Sequence, residues 1–115
     1  MLELVVYQDA QGWQPFEAWF EHLDIQAARK ITAALERMAE GNLGDAKSVG
    51  AGVLERRIDW GAGYRIYFGR DGDHLVVLLA GGTKKQQQRD IEGAQSRWAD
   101  YKRRKKQLTQ RGGTS

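Results

Sequence analysis

The sequence predicts one α+β domain: a helix hairpin packed on a mainly antiparallel sheet of three to four strands, with a C-terminal helix. Three observations predict it. Apolar residues recur at helical spacing in two successive stretches across residues 16–38. Three short apolar or alternating runs, separated by glycine turns, follow across residues 53–80. A last helical stripe passes through Ile91, Ala94, Trp98 and Tyr101.

Leu2, Leu4 and Val6 alternate with Glu3, Val5 and Tyr7, which reads as an opening strand ended by Gln11-Gly12. Pro15 suits the first position of a helix, and Phe16, Trp19, Phe20 and Leu23 lie on one face of it. Asp24 can cap a second helix whose inward stripe is Ala28, Ile31, Leu35 and Met38, with Gly41 as its stop. The short link makes the two helices an antiparallel hairpin. Residues 41–52 are glycine-rich without a period and read as a loop. Strands are expected over Val53–Asp59, Tyr64–Arg70 and His74–Ala80, joined by Gly61-Ala62-Gly63 and Asp71-Gly72. Leu75 to Leu79 is apolar at every position, so that strand should be central and covered on both faces. Thr83 and Gln86 have the spacing of a capping box for the final helix. The domain is expected over residues 1–101, with 102–115 a basic, flexible tail.

Composition narrows the function classes. At 115 residues the chain fits one modest core. It contains no Cys, which excludes disulfides and thiolate metal sites and fits a reducing compartment. Neither a leader nor a long apolar run is visible, so a cytoplasmic protein without a membrane partner is expected. No cofactor or metal is expected. Residues 1–46 carry three basic and eight acidic side chains, whereas residues 47–115 carry fifteen basic and seven acidic ones. That asymmetry suggests a surface facing a polyanion. Six of the positives lie within residues 102–115, so the placement of charges in the body carries more weight than their number.

Two placements break local rules. If Leu54 and Ile58 share the core face with Tyr64, Ile66 and Phe68, then Ile58 lies opposite Tyr64 and Leu54 opposite Phe68. The same register sets Arg57 opposite Arg65 on the other face, with Tyr67 beside Arg65. Like charges so placed destabilise a strand pair unless an anion lies between them. Lys84-Lys85 begin a helix, where the dipole favours anions instead; with the free N–H groups they form a phosphate-binding corner. Gly81-Gly82 would allow close approach of backbone. Each feature has a plainer reading: Arg57 can pair with Glu55 or Asp59 on a solvated face, Lys84-Lys85 can be solubilising charge, and His22 and His74 read as surface residues. The conjunction favours a site.

The stretch Gly52-Val53-Leu54-Glu55-Arg56-Arg57-Ile58-Asp59-Trp60-Gly61-Ala62-Gly63-Tyr64-Arg65-Ile66-Tyr67-Phe68 resembles the addiction module killer branch of the RelE/ParE toxin superfamily, close to HigB. Leu78-Leu79-Ala80-Gly81-Gly82-Thr83-Lys84-Lys85-Gln86 and Asp90-Ile91-Glu92-Gly93-Ala94 continue the resemblance, which covers about residues 1–101. Arg56 departs from it, since an apolar residue is usual there. The resemblance implies a type II toxin: a ribosome-dependent mRNA endonuclease that arrests translation, with mRNA, the ribosome and a cognate helix-turn-helix antitoxin as partners. The ParE branch instead poisons DNA gyrase, and a non-enzymatic binding module is a third reading. Arg57, Arg65, Lys84 and Lys85 are the candidate catalytic residues. The arginines would act as electrostatic clamps, because Arg does not serve as a base, and Lys84, Lys85 or Tyr67 would trade protons. Tyr67, Arg56, Arg70 and Arg89 are candidate RNA contacts.

Overall fold

The all-apolar run Leu75–Leu79 lies in the strand that organises the molecule. A computed structural model describes residues 1–113, with side chains through Thr109. Its sheet has five strands: β1 (Glu3–Val6), β2 (Ala46–Ser48), β3 (Leu54–Ile58), β4 (Tyr64–Asp71) and β5 (Leu75–Thr83), in the spatial order β1-β5-β4-β3-β2. Only β1 runs parallel to its neighbour, β5; the other pairs are antiparallel. Val76 to Ala80 are all buried, as a strand covered on both faces requires. β2 lies where a loop was expected. It is three residues of Ala-Lys-Ser on the sheet edge, too short and polar to carry a period.

Helices α1 (Pro15–Glu21) and α2 (Ile25–Ala39) form the expected hairpin on one face. Asp24 caps α2 by accepting from the Ala27 amide at 2.8 Å. Phe16, Ile31, Ala34 and Met38 pack there on Ile66, Phe68, Val76 and Leu78. The buried stripe of α2 is thus rotated slightly from the expected one, with Ala27 and Ala34 inward rather than Ala28. Helix α3 (Gln87–Gly113) covers the opposite face, where Ala94 and Trp98 pack on Tyr67, Val77 and Leu79. The sheet is therefore sandwiched between helices. A bulge interrupts the β4–β5 ladder: Tyr67 faces Ala80 while Phe68 faces Leu78, leaving Leu79 as the extra residue. Arg97 of α3 donates to the Leu79 carbonyl at 3.2 Å.

The start and end of α3 differ from expectation. Thr83 is extended and its side chain caps nothing; Lys84–Gln86 form a 3₁₀ turn before the helix begins. The Lys84 amide is instead drawn into the sheet, donating to Gly63 O at 3.0 Å. Beyond Tyr101 the helix continues to Gly113. Arg104 reaches Asp100 and the Gln8 carbonyl, and Lys105 reaches Asp71, so this part of the expected tail is tied to the body. Residues 114–115 of that tail lie outside the described residues. Among the described residues no helix is long and apolar enough to cross a membrane.

Gly81 and Gly82 owe their identity to packing. A Cβ on Gly81 would lie 2.0 Å from the Trp19 ring on the hairpin face, and one on Gly82 would lie 1.9 Å from Asp90 Oδ2 on the α3 face. The glycines admit one side chain from each layer; they do not serve to bring backbone toward a phosphate. Gly81→Ala should therefore cost about 1–3 kcal/mol by forcing α1 outward. A urea unfolding midpoint equal to that of wild type would contradict this.

Candidate active site

The strand register puts the two arginines where the core pattern requires them. Leu54 pairs with Phe68, Ile58 with Tyr64, and Arg57 with Arg65. Across the next strand Arg65 pairs with Gly82. Arg57, Arg65, Tyr67, Glu55 and Gly82 thus share the face covered by α3.

The anion between the arginines belongs to the protein. Glu55 is fully buried, with Oε1 3.0 Å from Arg57 Nε and Oε2 3.8 Å from Arg65 Nε. Gln87, the first residue of α3, donates to Oε2 at 2.8 Å. Burial alone would raise the Glu55 pKa; the hydrogen bonds from Arg57 and Gln87 and the charge of Arg65 outweigh it and hold the carboxyl below its ordinary value. Pairing of Arg57 with Glu55 was the plainer alternative in the sequence, but the setting is a buried cluster and not a solvated face. The alternation of Glu55 with Arg57 could have indicated this, since both must lie on the α3 side.

The four candidate catalytic residues gather at one end of the sheet with different exposures. The Arg57 side chain is 42% exposed, whereas that of Arg65 is 7% exposed. Arg65 Nη1 turns back to the Gly63 carbonyl at 3.4 Å. Gly63 also lies against Lys84, because a Cβ there would meet Lys84 Cβ at 3.6 Å and Arg65 Nη1 at 3.9 Å. Lys84 and Lys85 are exposed on the 3₁₀ turn. Solvent therefore meets Arg57, Lys84 and Lys85, with the buried Glu55 and Arg65 behind Arg57.

The candidate RNA contacts do not gather. Tyr67 is fully buried, with its hydroxyl facing the Glu55 carboxylate. Burial, and then the Glu55 charge, push its pKa far up, so it is a poor proton donor as well as inaccessible. Arg56 is on the hairpin face and is also buried. Its guanidinium donates to the Asn42 carbonyl at 3.1 Å and occupies space left by Gly44, where a Cβ would lie 2.6 Å from its Cζ. It packs under the connection that contains β2, and does not reach the rim. Reading Tyr67 and Arg56 as RNA contacts is thus corrected by their burial. Arg70 is exposed but lies at the far end of β4, about 17 Å along the strand from Arg65. There it donates to the Asp73 carbonyl. Arg89 is exposed on the first turns of α3.

Asp90, on the same turn of α3, has no role assigned by the sequence beyond its place in the resembling stretch. It is half-buried over Gly82, and burial raises its pKa against the opposing charges of Arg89 and Arg97. No residue spacing marks it, because its position depends on how α3 docks.

The fold and the site together define a small α+β protein whose sheet is sandwiched by helices, with a basic corner where β3, β4 and the start of α3 meet. The family model described as "Phage derived protein Gp49-like (DUF891)" matches residues 18–99. A Haemophilus influenzae protein described only as uncharacterized is 45% identical over 80 residues, spanning 69% of this chain and 81% of its own. The chain belongs to the Gp49-like family, a RelE-like family associated with the toxins of toxin–antitoxin pairs. Membership points to an antitoxin partner.

Proposed function

We propose that this protein is a HigB-like toxin that cleaves mRNA on the translating ribosome. The observation that carries the reading is the exposed set Arg57, Lys84 and Lys85 at the end of the sheet where the buried Arg65–Glu55 pair lies. Cleavage would join the RNA 2′ oxygen to the adjacent phosphorus and break the bond from phosphorus to the 5′ oxygen. The 2′ proton passes to a water molecule, the 5′ oxygen gains one from a lysine ammonium that is reprotonated from solvent, and the crowded phosphorane gathers negative charge. Arg57 and the lysines stabilise that charge. Preorganised donors of this kind are worth roughly 10²–10³ each in rate. Glu55 fixes Arg57 before substrate arrives, so little reorganisation is required. A lysine ammonium supplies the proton for the 5′ oxygen, and the ribosome presents the RNA in attacking geometry. Residues 1–101 are the acting domain in this reading.

Inducing the protein without its antitoxin should stop growth, with new mRNA 5′ ends appearing in translated regions. Arg57→Ala should relieve the arrest at equal protein level, since Arg57 is exposed and its loss leaves Glu55 held by Arg65 and Gln87. Arrest with intact mRNA and broken chromosomal DNA would favour gyrase poisoning. Arrest with neither would leave a binding module.

A further inference from the structure

A second polar cleft lies along the exposed side of α3. Its volume is about 550 Å³, and it is lined by Gln86, Arg89, Asp90, Glu92, Gly93 and Arg97. The cleft balances donors and acceptors, unlike the cationic corner beside it. Three features show that it is built and open. Gly93 lies inside a helix, where Gly is disfavoured relative to Ala. Nothing crowds it there: a Cβ would meet Arg97 Nη1 at 3.4 Å and nothing closer. Its missing side chain keeps the floor clear. Arg97 is held rigidly, donating to the Leu79 carbonyl while its guanidinium lies 5.4 Å from the Trp13 ring centre. Trp13 is 52% exposed, yet its loop is fixed: the Asp9 carboxylate accepts from the Gln11 and Trp13 amides, both at 2.9 Å. Lastly, among the described residues no cation stands within salt-bridge distance of Asp90, although it is half-buried.

We propose that this cleft is a nucleobase subsite in which a base stacks on the Arg97 guanidinium, backed by Trp13, and presents its N–H edge to Asp90. The proposal rests on the endonuclease reading above. Guanidinium planes are common stacking surfaces for unpaired RNA bases. Guanine fits the donor set best, since adjacent N–H groups on its edge suit one carboxylate and its O6 and N7 accept from an Arg such as Arg89. The cleft adjoins the cationic corner through Asp90, which lies over Gly82, the cross-strand neighbour of Arg65. A base bound here would therefore select which phosphate reaches Arg57 and the lysines.

The test is mRNA cleavage in a translating extract, with all 5′ ends sequenced, for wild type, Asp90→Asn, Gly93→Leu and Trp13→Ala. Melting curves for each accompany the assay. A bidentate base contact is worth about 1–3 kcal/mol, so Asp90→Asn should weaken the base preference beside the cut about tenfold while cleavage persists. Gly93→Leu fills the cleft with a better helix former; cleavage should fall about tenfold or more while Tm holds or rises. Trp13→Ala should lower cleavage with little change in Tm, because the ring is half exposed and its contact with Arg97 is at the surface. If wild type cuts and all three variants keep its rate and base preference, the subsite is refuted and the endonuclease reading stands. If wild type does not cut, both are refuted.

Discussion

Changing Lys84 and Lys85 together to Glu should abolish activity without weakening the fold. Both side chains are exposed, and they precede α3, whose N-terminal end favours negative charge. The reversal should be neutral or favour the helix by a few tenths of a kcal/mol each. The Lys84 amide bond to Gly63 is backbone and survives any side-chain change. Function should move the other way. The double change converts two cations into two anions where the scissile phosphate would lie, so the loss should be at least about 10²-fold. The salt dependence of RNA association should flatten, since each phosphate contact to a single strand contributes about 0.7 to the slope. A reading of these lysines as solubilising charge predicts unchanged cleavage. A folded double variant that cuts mRNA at the wild-type rate would remove the lysines from the site and leave Arg57 alone at its surface.

What the sequence made legible, and what it did not, follows from the range of each signal. Register was legible because side-chain alternation is strict. Once Leu54, Ile58, Tyr64 and Phe68 had to share a face, the Arg57–Arg65 pairing followed. The central strand was legible because only a doubly covered strand is apolar at five successive positions. β2 was illegible because three polar residues on an edge carry no period. The Thr83–Gln86 capping box failed because Lys84–Gln86 form a 3₁₀ turn tied to Gly63 by the Lys84 amide and the α-helix begins only at Gln87, a tertiary arrangement that local spacing cannot reveal. The roles of Arg56, Tyr67, Glu55 and Asp90 depend on what covers each face. Alternation assigned their faces, but only the docking of α3 and of the connection through β2 decides that Tyr67, Glu55 and Arg56 are sealed while Asp90 opens on a cleft.

The largest expected loss of stability belongs to Glu55. The carboxylate is enclosed, accepts hydrogen bonds from Arg57 and Gln87, and stands 3.8 Å from Arg65 Nε as its counter-ion. Glu55→Gln keeps the volume and removes the charge, leaving the Arg65 guanidinium almost fully buried without its counter-ion. Removing one partner of a buried ion pair costs about 3–5 kcal/mol, more than replacing the pair by apolar groups, because the remaining charge keeps its desolvation penalty. Arg57→Ala should cost much less, since Arg57 is partly solvated and its loss leaves the carboxylate with two partners. The pH dependence separates this from a packing defect. The folded-state carboxyl is held below its ordinary value of 4.5, so its contribution is complete above that pH and is lost as pH falls through the folded-state value. Wild type and Glu55→Gln should thus differ most near neutrality, and the gap should begin to narrow as pH falls below 4.5 toward the folded-state value. Denaturant midpoints measured from pH 7 down to pH 3 test this. A gap between the two proteins that stayed constant over that range would mean that the shape of Glu55, and not its charge, stabilises the buried cluster behind Arg57.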